Sequence, residues 1–249
     1  MISIVVPSIR ESINRFISSI DASLKEEYEL IVVGPDNKVT VNTHLMKSFK
    51  FIKDFGSPSR CLQIGISECS SDIFTWGTDD GVYYEDKLKE CVELLRTKEE
   101  NCGITVKYTE EGPYSWFNGS LDDYYISKNH PANVQPGIDP NWQFAPLGMY
   151  YTKYLVKLGG FDCRFNHINM NTHDFAYRLQ KDGGKLFFSN GTVIHCDSDS
   201  TKSDHRVLDH CYLDNDLPLF MQIYRDNSRG IYIDFDNWKN EPEAWRRFA

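Results

Sequence analysis

Residues 71–88 read SDIFTWGTDDGVYYEDKL, and this stretch decides the fold that we expect for the chain. It begins as a short apolar strand, continues into a tight turn in which Gly77 and Gly81 flank the adjacent carboxylates of Asp79 and Asp80, and ends in a charged helix start. In an open α/β sheet, ligands bind outside the carboxyl ends of the strands, so the two aspartates fall where a ligand would lie. Asp-Asp-Gly is also an ordinary solvated turn, and on the motif alone this alternative stays open.

Two adjacent carboxylates at such an edge repel each other unless a positive charge lies beside them. A divalent cation that is also bound to substrate phosphates is the obvious source, because Mg²⁺ is commonly held by one or two carboxylates together with phosphate oxygens and water. The turn therefore predicts a Mn²⁺ or Mg²⁺ site that serves a phosphorylated ligand.

Composition limits the classes of function. The 249 residues are 41% hydrophobic and 25% charged, as in an ordinary globular chain with a substantial core. A net charge of −9 argues against nucleic acid as a partner. No apolar run approaches the length of a membrane span, and the first residues lack the basic region of a signal peptide. Seven cysteines without a CxxC pair favour reduced thiols, so we expect a cytoplasmic protein without zinc.

The chain opens with a strand, helix, strand pattern. A β-branched run at 2–6 ends at Pro7, apolar residues recur at helical spacing over 11–25, and a second apolar run occupies 28–33. This is the βαβ beginning of a nucleotide-binding sheet. Asp36, just past the second strand, is placed to hydrogen-bond a base or ribose, although the surrounding Gly-Pro-Asp-Asn is equally a good turn.

A third short strand at 49–55 is followed by Ser57 and Pro58, which together predict a helix N-terminus. Arg60 then lies in the first helical turn, near the same edge of the sheet. There its guanidinium can meet a diphosphate, and an ordinary surface arginine is the alternative.

The centre of the chain is unusually aromatic, with eleven aromatic residues in the 47 positions 108–154. Tyrosine and tryptophan rings suit a site that stacks on a sugar. They suit a hydrophobic core equally well, so both interpretations stay open.

Two late segments contain candidate site residues. Residues 144–151 lead into a helix that ends in Gly-Gly-Phe-Asp at 159–162, and a second helix is expected to start at about residue 171 or 172. Asp174 lies near the start of this second helix with Arg178 one turn later, and a surface ion pair is the alternative to a catalytic role. His195 directly follows a short strand, where a histidine is more often structural than a ligand.

Taken in chain order, these pieces resemble the family 2 glycosyltransferases of the GT-A fold over residues 1–197. The most specific part is Gly-Gly-Phe-Asp followed about a dozen residues later by the helix HDFAYRL at 173–179. The resemblance implies a Rossmann-like α/β domain with a mixed, mainly parallel sheet flanked by helices. Residues 198–249 show apolar residues at roughly helical spacing after a polar linker, and we expect a helical C-terminal extension packed on the sheet or on a second subunit.

The resemblance also implies a catalytic and a metal site. Asp79 matches the metal-binding acid of the Asp-x-Asp motif, Asp80 the acid that often follows it, and His195 the late histidine that can complete the metal site. Asp174 is the best match to the acid that acts as the general base in inverting members.

For the donor, the resemblance implies a binding site along the strand ends. Asp36 and Arg60 fall near family positions that contact the nucleotide, and Pro7, at the end of the first strand, is assigned to the same site. Asp79 contacts the donor through the metal, and Gly148 lies in the glycine loop that faces donor and acceptor.

Two positions depart from the family pattern. Gly77 stands where the first acid of Asp-x-Asp is usual, which leaves metal binding to Asp79, Asp80 and His195. Alignment through the arginine of the late helix places the usual Glu-Asp pair on residues 171–172, an asparagine and a threonine.

The resemblance thus implies an inverting, metal-dependent glycosyltransferase that moves a sugar from a nucleotide-diphosphate sugar to a hydroxyl of a glycan or another acceptor. Two alternatives stay open. A sugar nucleotidylyltransferase is disfavoured because residues 7–11, PSIRE, contain no glycine for a phosphate loop. A non-catalytic module that binds a nucleotide or glycan is favoured by the two departures.

Overall fold

The computed structural model describes residues 1–110, 143–197 and 211–224. Within these ranges the chain forms two β-sheets and surrounding helices. The strands are β1 (Ile2–Pro7), β2 (Tyr28–Gly34), β3 (Met46–Lys53), β4 (Ile73–Trp76), β5 (Gly81–Tyr83), β6 (Cys102–Thr105), β7 (Tyr108–Glu110), β8 (Gly148–Tyr151), β9 (Lys185–Phe188) and β10 (Ile194–Cys196).

Helices cover the larger sheet and continue into the C-terminal part of the chain. They are α1 (Ile13–Leu24), α2 (Pro58–Ser67), α3 (Lys87–Arg96), α4 (Thr152–Lys157), α5 (Ile168–Lys181), a π-helical turn (Tyr212–Asp216) and α6 (Leu217–Tyr224).

The larger sheet has seven strands in the order β3-β2-β1-β4-β8-β6-β9, and the smaller one has the order β5-β10-β7. In the larger sheet only β8 runs antiparallel to its neighbours, β4 and β6. The predicted mixed, mainly parallel sheet flanked by helices is therefore confirmed.

Burial explains why the first elements form. β2 is buried along its whole length and β1 at every position except its last, as expected for central parallel strands covered on both faces. The apolar stripe of α1 is buried in the hydrophobic core that includes β1 and β2, which confirms the helix predicted from the spacing of its apolar residues. The buried apolar residues of the stripe are Ile13, Phe16, Ile17, Ile20 and Leu24.

Aromatic residues of the central segment divide between described and undescribed parts of the chain. Those from 114 to 142 lie outside the described residues. Phe144, Tyr150 and Tyr154 are buried, so the rings at these positions pack in the interior of the protein.

The described part of the C-terminal extension packs against the start of α5. Phe220 of α6 lies 6.2 Å from Phe165, measured between ring centroids. The carboxylate of Asp216 accepts hydrogen bonds from the backbone N–H groups of Asn166 and His167, at 2.9 and 2.6 Å. The domain boundary between residues 197 and 198 stays a prediction, and residues 198–210 and 225–249 lie outside the described residues.

Two further features concern the environment of the chain. Within the three described ranges, no helix is both long and apolar enough to cross a lipid bilayer. None of the seven cysteines forms a disulfide.

A buried carboxylate joins three strands at the amino edge of the sheet. Glu29 of β2 accepts hydrogen bonds from the hydroxyl of Ser3 in β1 and from the backbone N–H groups of Ser70 and Ser71, which precede β4. Burial alone would raise the pKa of Glu29, but the hydrogen bonds from these serines outweigh it and hold the pKa below its ordinary value.

We expect Glu29→Ala to lower the free energy of unfolding by roughly 3 kcal/mol, because several buried donors lose a charged acceptor. Urea denaturation at pH 7 measures this loss. In Glu27→Ala, which removes an exposed pair with Lys47, the loss should stay below about 1 kcal/mol.

The same interaction makes stability depend on pH. A depressed pKa stabilises the fold above the unfolded-state value of about 4.5, and this contribution is lost as pH falls through the lower folded-state pKa. The stability difference between the wild type and Glu29→Gln should therefore narrow below about pH 4.5. A difference that stays constant down to that range would contradict the assignment.

Candidate functional site

The carboxyl edge of the larger sheet collects most of the predicted donor-site residues. Pro7 ends β1, Asp36 lies two residues past β2 and is exposed, and Asp79 follows β4. Gly148 is the first residue of β8 rather than part of a loop, and because β8 is antiparallel to β4 its start lies at the same edge. Parallel strands place their ends together, so the sheet brings these positions to one side of the molecule.

Asp79 is buried and binds the chain where it leaves β1. Its Oδ2 accepts hydrogen bonds from the backbone N–H groups of Ile9 and Arg10, at 2.8 and 2.9 Å. Its Oδ1 lies 2.6 Å from Nη1 of Arg10, and the same nitrogen lies 3.2 Å from Oδ2 of Asp80. The positive charge beside the two carboxylates is therefore an arginine that the sequence analysis did not identify.

Asp80 connects this turn to the end of β10. Its backbone oxygen accepts hydrogen bonds from the N–H of Asp197, at 3.2 Å, and from Nη2 of Arg15, at 3.1 Å. Arg15 also forms an ion pair with Asp197. Burial raises the pKa of Asp80, the nearby charge of Asp79 adds to the rise, and Arg10 opposes it.

His195 lies within β10, so the prediction that it follows the strand is wrong. It pairs with Val82 of β5 on one side and Thr109 of β7 on the other. The strand continues past the histidine to Cys196, which pairs with Gly81 of β5 and Glu110 of β7. Nδ1 of His195 lies 3.1 Å from Oγ1 of Thr109.

Both aspartates among the three predicted metal ligands already have partners within the protein. Both oxygens of Asp79 are bound by N–H groups, and Asp80 shares the guanidinium of Arg10. Among the residues that the structure describes, no group of three or more His, Cys, Asp or Glu side chains is arranged to hold a metal. The metal site at Asp79, Asp80 and His195 stays a prediction, and a cation bound there would compete with Arg10 for the two carboxylates.

Gly77 has a structural reason to lack a side chain. A Cβ at this position would lie 2.1 Å from Cζ of Phe16, a buried residue of α1. At the position of the first acid of Asp-x-Asp, the ring of Phe16 thus fills the space that a side chain would need.

Arg60 lies in the first turn of α2, as predicted, and Ser57 caps that helix. Its guanidinium forms a two-pronged ion pair with Asp54, which directly follows β3, with Nε to Oδ1 at 3.0 Å and Nη2 to Oδ2 at 2.8 Å. A contact between Arg60 and a diphosphate stays a prediction, and it would compete with Asp54.

Asp174 forms a buried ion pair with Arg178, not the surface pair considered above. Nε and Nη2 of Arg178 lie 3.0 and 2.9 Å from Oδ2 of Asp174. The guanidinium also donates to the backbone oxygens of Leu158 and Gly160, the latter at 2.7 Å. The pair therefore fixes the Gly-Gly turn against α5, which begins at Ile168, earlier than predicted.

Three other buried side chains near this helix have polar atoms without a hydrogen-bond partner. They are Nε1 of Trp76, Oη of Tyr150, and both the oxygen and the nitrogen of the Asn171 side chain. Burial raises the pKa of Tyr150 above its ordinary range, so this phenol is a neutral hydroxyl. In the sequence, Asn171 stands out only as a departure from the family pattern, and no signal marks Trp76 or Tyr150 as a site residue.

Comparison with known proteins gives partial sequence matches. No family model matches the chain. A protein of Rickettsia felis described as an uncharacterized glycosyltransferase is 30% identical over 104 residues, which cover 38% of this chain and 17% of that protein. A second protein so described, from Rickettsia typhi, is 28% identical over 102 residues, which cover 38% of this chain and 32% of that protein. The matched segment thus spans less than a third of either relative.

Solved structures match over most of the chain. Residues 1–349 of S. aureus TarS superpose with a TM-score of 0.53 at 15% identity, over 95% of this chain and 71% of that one. The same TarS segment in complex with UDP-GlcNAc gives a TM-score of 0.52 at 13% identity, over 90% and 71%. Together these similarities support a glycosyltransferase fold.

The contact between Gly77 and Phe16 yields a test of the turn. We expect Gly77→Asp, which restores the missing acid, to lower the free energy of unfolding by at least about 2 kcal/mol, because the new side chain overpacks the core. The cost of Gly77→Ala should shrink when Phe16 is replaced by leucine, and a double-mutant cycle in urea measures this coupling. Equal costs of Gly77→Ala in both backgrounds would contradict the packing explanation.

Proposed function

We propose that the protein is a glycosyltransferase that moves a sugar from a nucleotide-diphosphate sugar to an acceptor hydroxyl. The observation that carries this proposal is the position of the 77–81 turn at the carboxyl edge of a mainly parallel sheet. The fold shared with TarS, one structure of which contains UDP-GlcNAc, supports the same assignment. So does the partial similarity to proteins described as glycosyltransferases. Membership of family 2 and of the GT-A fold is part of the proposal.

The donor is proposed to lie over the ends of β1, β2 and β4. Asp36, which is exposed just past β2, is available to hydrogen-bond the base or ribose. Pro7 and Gly148 border the same edge through their positions at strand ends. Arg60 meets the diphosphate only by exchanging the carboxylate of Asp54 for phosphate oxygens, which its planar fork binds equally well.

In the proposed reaction the acceptor oxygen attacks the anomeric carbon as the bond from that carbon to the diphosphate oxygen breaks. The bonding electrons leave with the nucleotide diphosphate, and the proton of the acceptor hydroxyl passes to the carboxylate of Asp174. Direct displacement by one base inverts the anomeric configuration. Mn²⁺ or Mg²⁺ would neutralise charge on the leaving diphosphate when bound. This role stays a prediction, and no step above depends on it.

A non-catalytic module that binds a nucleotide sugar is the second candidate. It is favoured by the buried pairing of Asp174 with Arg178 and by the asparagine and threonine at 171–172. The hydroxylated acceptor, a cytoplasmic location and a homo-oligomer formed through the C-terminal extension stay predictions.

The role of Asp174 is tested by a pair of variants. Asp174→Asn should lower kcat by about 10²- to 10⁴-fold and leave donor affinity unchanged, because it removes the base. Arg178→Lys disturbs the same buried pair but keeps the carboxylate, so its kcat should fall by less than about tenfold. Steady-state kinetics and calorimetric donor titration give both quantities. Equal losses of kcat in the two variants would show that the pair acts only by positioning.

The donor site is tested by calorimetric titration with nucleotide diphosphates and nucleotide sugars, UDP and UDP-GlcNAc among them, in Mn²⁺, in Mg²⁺ and in EDTA. We expect one nucleotide to bind and Asp36→Ala to weaken its binding by about tenfold, through loss of one hydrogen bond to the ligand. Glu27→Ala changes an exposed acid at the opposite edge and should leave affinity unchanged. Binding that persists in EDTA would contradict the metal prediction, and no binding in any condition would contradict the donor site.

A further inference from the structure

Three buried side chains present polar atoms that have no hydrogen-bond partner. We call Nε1 of Trp76, Oη of Tyr150 and the side-chain amide of Asn171 the unpaired polar cluster. Each of these residues is at most 1% exposed. Most buried polar groups in folded proteins are hydrogen-bonded, so an unpaired group usually has a ligand, a water molecule or a functional role.

The cluster lies at the carboxyl edge of the sheet. Trp76 is the last residue of β4, and its ring stacks on Tyr150 of the neighbouring β8 with 6.1 Å between centroids. The Tyr150 hydroxyl lies against Gly148, where a Cβ would come within 2.4 Å of it. The ring of Tyr150 also contacts that of Phe175 in α5, with 4.9 Å between the ring centroids. Asn171 lies one turn before Phe175 on the same face of this helix.

The chemistry of the cluster selects a small neutral partner. An indole N–H only donates, a phenol both donates and accepts, and a side-chain amide offers two donors and an acceptor. None of these groups carries a charge, so the cluster does not itself balance the charge of a phosphate or a metal ion. A hydroxyl group is about the size of a water molecule and both donates and accepts, so it can satisfy members of all three classes.

We propose that the unpaired polar cluster binds a hydroxyl group of a sugar. The proposal rests on the glycosyl transfer proposed above and adds the residues that recognise the sugar. Gly148 is part of this arrangement, because a side chain at that position would occupy the space of the Tyr150 hydroxyl. The sugar belongs either to the donor or to the acceptor, and the chemistry of recognition is the same in both cases.

Two buried tyrosines provide a matched test. Tyr150→Phe deletes a hydroxyl that has no partner in the protein, whereas Tyr154→Phe deletes one that donates to Oδ2 of Asp182 at 3.0 Å. We expect the urea midpoint of Tyr150→Phe to equal or exceed that of the wild type, and that of Tyr154→Phe to fall. Affinity for UDP should be unchanged in both variants. Affinity for UDP-GlcNAc should fall by about tenfold in Tyr150→Phe alone.

Asn171→Leu and Gln63→Leu extend the test to two buried amides. The amide of Gln63 bonds the N–H of Phe161 and the oxygen of Gly159, whereas that of Asn171 bonds neither donor nor acceptor. Gln63→Leu should therefore lower the urea midpoint clearly. Asn171→Leu should not lower it, and it should weaken UDP-GlcNAc binding by about tenfold or more.

The outcomes separate this proposal from the proposed function. If the urea midpoint of Tyr150→Phe falls as far as that of Tyr154→Phe, the proposal for the unpaired polar cluster is overturned, because the Tyr150 hydroxyl would then stabilise the fold. If Tyr150→Phe and Asn171→Leu both bind UDP-GlcNAc as tightly as the wild type, the cluster does not bind the donor sugar, and the acceptor sugar is tested next. Protein saturated with UDP is then titrated with free N-acetylglucosamine and glucose, where weaker binding by the variants supports the cluster and equal binding overturns it. A wild-type protein that binds no nucleotide and no nucleotide sugar would overturn both proposals.

Discussion

The carboxylate of Asp79 fixes the edge on which the candidate site is built. Parallel neighbours such as β1 and β4 leave the sheet side by side, and their exits are independent unless a contact joins them. Here one buried carboxylate binds two backbone N–H groups and a guanidinium from the segment after β1. The next residue, Asp80, holds the end of β10 through its backbone oxygen, so the smaller sheet is attached at the same point.

This arrangement determines how charge is balanced at the turn. The guanidinium of Arg10 lies where a cation is expected beside two carboxylates, and the space for a first acid at Gly77 is filled by Phe16. The ion pair of Asp79 with Arg10 is partly buried, so breaking it costs more than the loss of an exposed pair. A divalent cation that entered the turn would have to offset a cost of this kind before it contributed to donor binding. Any metal dependence is thus coupled to the contacts between the Arg10 side chain and the two carboxylates.

The spacing of apolar residues predicted the elements that depend on residues close in sequence and the elements that are apolar along their whole length. β1, α1, β2 and the start of α2 follow from apolar spacing and from one cap. The contacts of the site did not follow, because they join distant segments. Arg10 is 69 residues from Asp79, and nothing in the sequence PSIRE indicates which acid its guanidinium meets. The antiparallel strand β8 was missed because its four residues are too short for a clear alternation and directly precede a helix.

Asp174 and Arg178 likewise combine a contact that the sequence predicts with contacts that it does not predict. Their spacing predicts an i,i+4 contact on a helix, but their burial depends on carbonyl groups of Leu158 and Gly160 that a helical pattern does not reveal. α5 is buried along residues 170–179 although it carries several polar side chains, so apolar burial does not account for it alone.

The polar side chains of α5 differ in what they contribute. The ion pair bonds two backbone oxygens and holds the preceding turn in place, so it has a role in the fold. Asn171, on the same helix, makes no such bond, and an apolar residue of similar size would remove the cost of burying an unsatisfied amide. A fold selected for stability alone has no reason to bury such a group without a partner. Binding of a hydroxyl group at this edge supplies that reason, because the hydrogen bonds missing from the protein are those that a ligand completes.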